Sequence, residues 1–199
     1  MLVGYEANNP LRKSQEIGEF GRNLIERLAS GHVGSYRALL FSTRISDEFR
    51  GYFSGYSNIS TYLPVGFAKT IPEAWFRYRL NPLLKAEKVK IFHGLNEELP
   101  YGIGRDIKTI ITCYGPGYHN RNSFLDFFLW KFRLKYSFRA SDVIVAVSDE
   151  VKEMLVSKGV NPEKIEVIGV PGKPFEITDE IVERYRQVYN RLVSNREDD

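Results

Sequence analysis

Residues able to move protons or grip hydroxyl groups crowd into KIFHGLNEELP, residues 90–100. His93 closes an apolar run. A ring nitrogen there can exchange a proton with a ligand hydroxyl, or it can simply cap the strand as a hydrogen-bond partner, and residue type leaves both readings open. Glu97 and Glu98 are adjacent, so they are not taken as an acid–base pair serving one site; at least one is expected to be solvated or a cap. A second group follows the next apolar run. In CYGPGYHNRN, residues 113–122, His119, Asn120 and Arg121 can line the same cleft, although such loops are often only turns. His93 and His119 are therefore the candidates for catalysis. No metal is expected, because the three histidines lack ligand spacing and Cys113 stands alone. In the run TIITCY that cysteine reads as a small buried strand residue.

Positioning such residues takes strands and helices in a definite order. LVGYEA (2–7) reads as a strand and NNPLRKSQE as a polar turn. Ile17, Phe20, Leu24, Ile25 and Leu28 recur at helical spacing, which predicts a helix over 17–30 closed by Gly31. Strands are expected at 36–42 and 59–65, then a helix over PEAWFRYRLNPLLKAE interrupted near Pro82. KVKIFHG and DIKTIITCY read as further strands, SFLDFFLWKFRLKYSFRAS as a long helix and DVIVAVS as a buried strand. A helix capped by Ser148 or Asp149 and stopped at Gly159 comes next, then the strand EKIEVIGV, the stiff turn PGKPF and a closing amphipathic helix. The expected fold class is α/β: a single Rossmann-like, doubly wound, mainly parallel sheet of about seven strands with helices on both faces. In the last helix, Tyr185, Val188, Tyr189 and Leu192 form a stripe able to dock on the sheet domain, giving a division into 1–175 and 176–199.

Composition narrows the classes of function. At 199 residues and 43% hydrophobic content the chain can bury a core, and its formal net charge is only +3. No run of eighteen apolar residues and no signal-peptide pattern occurs, so a cytoplasmic location is the expectation. Positive charge is concentrated locally. Lys131, Lys135 and Arg139 lie four apart on the long helix; the simple reading is a solvated basic face, and the sharper one is an anion or membrane face. Nucleic acid is not expected, since no RNA-binding aromatic platform motif is present. The glycines of EIGEFGRNLIERL depart from G-x-G-x-x-G, so tight packing is preferred to a phosphate turn for Gly18 and Gly21.

Taken in order, IGEFGRNLIERL, KIFHGLNEELP and WKFRLKYSFRASDVIVAVSDEVKEMLVSKGVNPEKIEVIGVPGKPF resemble the N-terminal, acceptor-side half of GT-B fold, family 4 type glycosyltransferases of the mannosyltransferase-like group. The resemblance implies a hexose transferred from a nucleotide sugar to a glycan or lipid-linked acceptor, by a retaining, metal-free reaction in a cleft between two halves. It implies that Gly18, Glu19 and Phe20 line that cleft. His93, Gly94 and Asn96 would meet acceptor or donor groups, and Ser148 would lie near the cleft floor; Glu97 and Tyr114 are taken as further residues of the cleft. Three departures qualify it: Glu16 stands where the family has glycine, Tyr114 and Gly115 where it has a His-Asp pair, and the donor half has no counterpart in these residues. The chain alone is therefore expected to have little or no activity. No cofactor is expected, and a nucleotide sugar donor only with a second half. The implied partners are the acceptor, a separate donor-binding half, a second copy in a homodimer and a peripheral contact with the inner membrane face. The alternatives are a non-catalytic glycan-binding or regulatory module, or a ligand-free α/β domain.

Overall fold

Short runs such as LVGYE, RALLF and VIVA have apolar side chains at successive positions, the pattern of strands covered on both faces. In the computed structural model, which describes residues 1–30, 36–115 and 124–194, seven such runs form one sheet. They are β1 (Leu2–Glu6), β2 (Arg37–Phe41), β3 (Ile59–Tyr62), β4 (Ile91–Gly94), β5 (Lys108–Cys113), β6 (Val143–Ala146) and β7 (Ile165–Val167). Their order is β3-β2-β1-β4-β5-β6-β7, and every pairing is parallel. The order reverses between β1 and β4, where Tyr5 pairs with His93 and Glu6 with Gly94. That reversal is the topological switch point, the place where open α/β sheets bind ligands.

The helices are α1 (Asn8–Arg12), α2 (Glu16–Ser30), α3 (Pro72–Ala74), α4 (Leu80–Ala86), α5 (Phe124–Ala140), α6 (Asp149–Ser157) and α7 (Asp179–Ser194). The face of the sheet carrying Tyr5 and His93 is covered by α2 and α7, which also touch each other. The opposite face carries Phe92, against which Phe76 packs with ring centroids 6.4 Å apart. Ser148 is the N-cap of α6, accepting a hydrogen bond from the Val151 amide at 3.4 Å. Gly159, at φ +81°, follows that helix where a left-handed residue is needed.

Three local expectations change. The polar turn after β1 contains the short helix α1, started by the chain reversing at the sheet edge and pinned by Arg22, whose Nη1 donates to the carbonyls of Pro10 and Lys13 at 2.8 Å each. The third strand stops at Tyr62 rather than 65. The helix break lies upstream of Pro82, as a π-helical turn at Trp75–Arg79. Proline clashes with the carbonyl four residues before it, and the widened turn relieves the crowding at Tyr78.

The glycines of α2 have a steric role. A Cβ on Gly18 would lie 2.0 Å from the Lys13 carbonyl oxygen and 2.9 Å from that of Asn9, and one on Gly21 would lie 2.5 Å from Pro10 Cγ. The Gly18 amide already donates to the Gln15 carbonyl at 2.8 Å. These two residues let α2 lie directly on α1, so the packing reading of the motif is the one the geometry follows. Gly18→Ala is expected to cost about 3 kcal/mol or more in urea unfolding, because backbone must move, whereas Gly55→Ala, with nothing within 4 Å of the added carbon, stays near neutral.

Candidate functional site

Parallel strands bring all their carboxyl ends to one edge, and the residues there divide by whether their polar atoms are already used. His93 is fully buried. Its Nδ1 lies 2.6 Å from the Tyr189 hydroxyl and its Nε2 2.8 Å from Thr112 Oγ1, which itself lies 3.1 Å from the Tyr185 hydroxyl. Burial pushes the imidazole down to about 3, so it stays neutral at any ordinary pH. Both nitrogens are thus occupied inside the core, and the ring acts as the sheet's anchor for α7. The reading of His93 as an acid–base group at the cleft is corrected on that ground. His119, with Asn120 and Arg121, lies outside the described residues.

The opposite case stands one residue away in register. Glu6, the last residue of β1, is 1% exposed, and its Oε1 accepts from the Asn8 amide at 2.9 Å. Its Oε2 is buried and has no hydrogen-bond partner among the described residues. Desolvation pushes this carboxyl up to about 8, against the lowering effect of the Asn8 bond. Around it, Asn8 Oδ1 accepts from the Thr43 amide at 2.9 Å and from Thr43 Oγ1 at 2.7 Å, and Arg12 Nη1 donates to Thr43 Oγ1 at 3.0 Å. Across the switch point, Asn9 Nδ2 donates to Asn96 Oδ1 at 2.8 Å. Asn96 is half-buried and its amide oxygen is spent on Asn9, so what it offers a ligand is its N–H donors. Glu6 went unnoticed in the sequence because a single glutamate ending a strand carries no motif. A charged type closing an otherwise apolar run was the available signal.

Gly94, next to Glu6 in the sheet, is a packing residue: a Cβ would sit 2.6 Å from the Glu98 carbonyl oxygen. Neither glutamate of the NEEL segment is solvated. Glu97, at φ +60°, is buried and its Oε1 accepts from the Tyr114 amide at 3.0 Å, which ties the turn after β4 to the end of β5. Glu98 pairs with Arg133 at 3.3 Å. Tyr114 stacks on Phe175 with centroids 5.6 Å apart and meets Phe20 edge-on at 5.7 Å, while its buried hydroxyl has no partner among the described residues.

Beside this aromatic partition a groove of about 510 Å³ is lined by Tyr114, Gly115, Ser148, Glu150, Met154 and Pro174 among others. A neighbouring one of about 460 Å³ includes Glu16, Glu19, Asn23 and Lys173. Phe20, Tyr114 and Ser148 are thereby brought together, and Glu19 stands exposed on the adjoining wall. Lys131, Lys135 and Arg139 are not part of this edge. Lys135 and Arg139 occupy the last turns of α5, whose Ala140 carbonyl accepts from Thr109 Oγ1 at the start of β5, and so lie toward the opposite end of the sheet, while Lys131 stands near the middle of that helix. Among the described residues no group of three histidine, cysteine or acidic side chains is placed to hold a metal ion.

Residues 22–170 match the family model described as Glycosyltransferase Family 4. The chain belongs to glycosyltransferase family 4. Solved structures agree in fold. A glycosyltransferase from Rickettsia africae superposes with a TM-score of 0.53 at 16% identity, over 95% of this chain and 49% of that one. Anabaena Alr3699/HepE, solved with UDP and glucose, gives 0.54 at 11% identity over 85% and 44%. A UDP-N-acetylglucosamine 2-epimerase from Rickettsia bellii gives 0.52 at 16% identity over 94% and 48%. Curated protein sequences yield no match. This family 4 chain therefore spans about half the length of the solved structures it resembles, as an N-terminal domain of the family would. No helix among the described residues is long and apolar enough to cross a membrane.

The buried carboxyl of this family 4 domain has a measurable signature. Above the ordinary glutamate range the unfolded chain ionises Glu6 while the folded chain keeps its proton, so stability falls as pH rises until about 8, where the folded form ionises too. His93 works in the opposite sense, but only below its ordinary value of 6.5. Between pH 6.5 and 8 urea unfolding of the wild type should thus lose up to about 1.4 kcal/mol per pH unit from this group, and Glu6→Gln should flatten the slope.

Proposed function

We propose that this domain is the acceptor-holding wall of a glycosyltransferase that moves a hexose from a nucleotide sugar to a glycan or lipid-linked acceptor. The donor is held by a second wall, supplied by further residues of the same protein or by a separate partner. The observation that carries this reading is the switch-point pairing of a buried carboxyl with an unpartnered oxygen at the end of β1 and an oriented asparagine amide just past the neighbouring end of β4, on a family 4 domain. Buried polar groups without partners destabilise a fold unless something bound satisfies them.

A sugar hydroxyl answers both groups. It accepts from the Asn96 amide, and its oxygen or proton complements the Glu6 carboxyl, while Arg12 and Asn8 hold the surrounding loop ends in register. The groove beside Tyr114 and Ser148 then faces the space where the donor's sugar arrives. Glycosyl transfer develops positive charge at the sugar ring and negative charge on the departing diphosphate, and lowering that barrier by about 8 kcal/mol or more takes groups on both sides. One wall orients the acceptor and shields it from water. It does not stabilise the leaving group.

A thermal-shift screen tests the reading. Acceptor-type glycans near a hundredfold excess over Kd should raise Tm by several degrees, from about 2.7 kcal/mol of linkage, and sugar nucleotides should leave it unmoved. Asn96→Ala should abolish most of the glycan shift and lower the unliganded Tm by several degrees, because the buried Asn9 amide loses its acceptor. Residues 1–199 alone should release no measurable diphosphate nucleotide. Sustained transfer by this chain in isolation, or a shift produced by sugar nucleotides and by no glycan, would overturn the assignment.

A further inference from the structure

Between β3 and α3 the chain turns its apolar side chains outward. Val65 is 75% and Phe67 79% exposed, and Leu63 and Ile71 are exposed beside them. The segment is ordered into a turn rather than trailing. Residues Gly66–Thr70 form a 3-10 helix, the Thr70 hydroxyl donates to the Phe67 carbonyl at 2.7 Å, and the Trp75 amide donates to the Ile71 carbonyl at 3.0 Å. Tyr78, 65% exposed, rests on Tyr101 with centroids 5.4 Å apart. Large apolar side chains held outward in one contiguous patch mark a surface that meets something other than water.

Charge indicates what that is. Residues 63–79 contain the cations Lys69, Arg77 and Arg79 against one carboxylate, Glu73, which pairs with Arg77 at 3.4 Å. Arg44 is exposed just beyond β2, and the Ser42 amide donates to the Tyr62 carbonyl at 3.2 Å, so the exit of β2 runs alongside the start of the tip. Arg12 lies within electrostatic reach of both Arg44 and Glu73, which continues the basic track toward the switch point. Aliphatic and aromatic side chains at a projecting tip, ringed by lysine and arginine, complement the acyl boundary and the phosphates of an anionic bilayer.

Place in the fold favours the same partner. β3 is the end strand of the sheet among the described residues, so the tip is a corner able to reach a flat surface. Since all strands are parallel, it projects from the edge that carries Glu6 and Asn96. Lys135 and Arg139 of α5 lie toward the opposite end, and that helix has one exposed large apolar side chain, Phe132, among the described residues.

We propose that residues 63–79 seat this protein on anionic phospholipid, with Val65, Phe67 and Ile71 at the acyl boundary and Lys69, Arg79 and Arg44 against the phosphates. Seated so, the switch point opens just above the headgroups, where a lipid-linked acceptor presents its sugar; only this last consequence rests on the proposed function.

The test is co-sedimentation of the chain with phosphatidylcholine vesicles, with and without about one-third phosphatidylglycerol, alongside sedimentation velocity without lipid. The wild type should bind the anionic vesicles, less so at high salt, and not the neutral ones. The double variant Val65→Ser/Phe67→Ser, altered at exposed positions and checked for unchanged Tm, should lose about tenfold or more in partitioning. Lys131→Glu/Lys135→Glu should bind as the wild type does. The proposal is overturned by absence of vesicle binding, by equal binding of the tip variant, by loss in the α5 variant instead, or by wild-type self-association that the tip variant abolishes while no vesicle is bound. Glycan shifts in Tm are read separately, so either result can fail without the other.

Discussion

A polar atom removed from water needs a partner, and this requirement divides the strand ends of the protein into two kinds. At His93 it is met from within: Tyr189, Thr112 and Tyr185 form a continuous buried chain that joins β4 and β5 to the last helix. At Glu97 it is met by the amide of Tyr114. At Glu6 Oε2 and the Tyr114 hydroxyl it is not met among the described residues. The first kind ties the sheet to its covering helix, and the second leaves buried polar atoms whose desolvation cost is not offset among the described residues.

Much of the architecture was legible in the residue pattern. Helical spacing from Ile17 to Leu28 marked α2, and the uninterrupted apolar runs marked strands buried on both faces, because those periodicities are direct records of what the core covers. The site was less legible, since it is built by pairs far apart in sequence. Nothing near His93 states that a tyrosine 96 residues later will take its Nδ1. Glu97 and Glu98 look alike in sequence and differ only because one faces the β5 amide and the other Arg133. The glycine turn of α2 was ambiguous until the position of α1 was known, and α1 itself is too short to leave a periodic mark.

Membership in family 4 and a sheet of this order establish the scaffold but not the ligand it holds. Transferases and epimerases alike appear among the fold's neighbours at low identity, so the shared scaffold carries several chemistries. The local features on which a ligand's identity would depend are a buried carboxyl at the end of β1, a tyrosine and glycine after β5, and an apolar corner on the same edge.

The docking of α7 also bears on how the protein is made. β4 and β5 precede Tyr189 in the chain, so they are synthesised before the hydroxyl that His93 Nδ1 meets in the folded protein. Until α7 is made and docks, the buried hydrogen-bond chain through His93 stays open, and the histidine works as a catch that α7 closes.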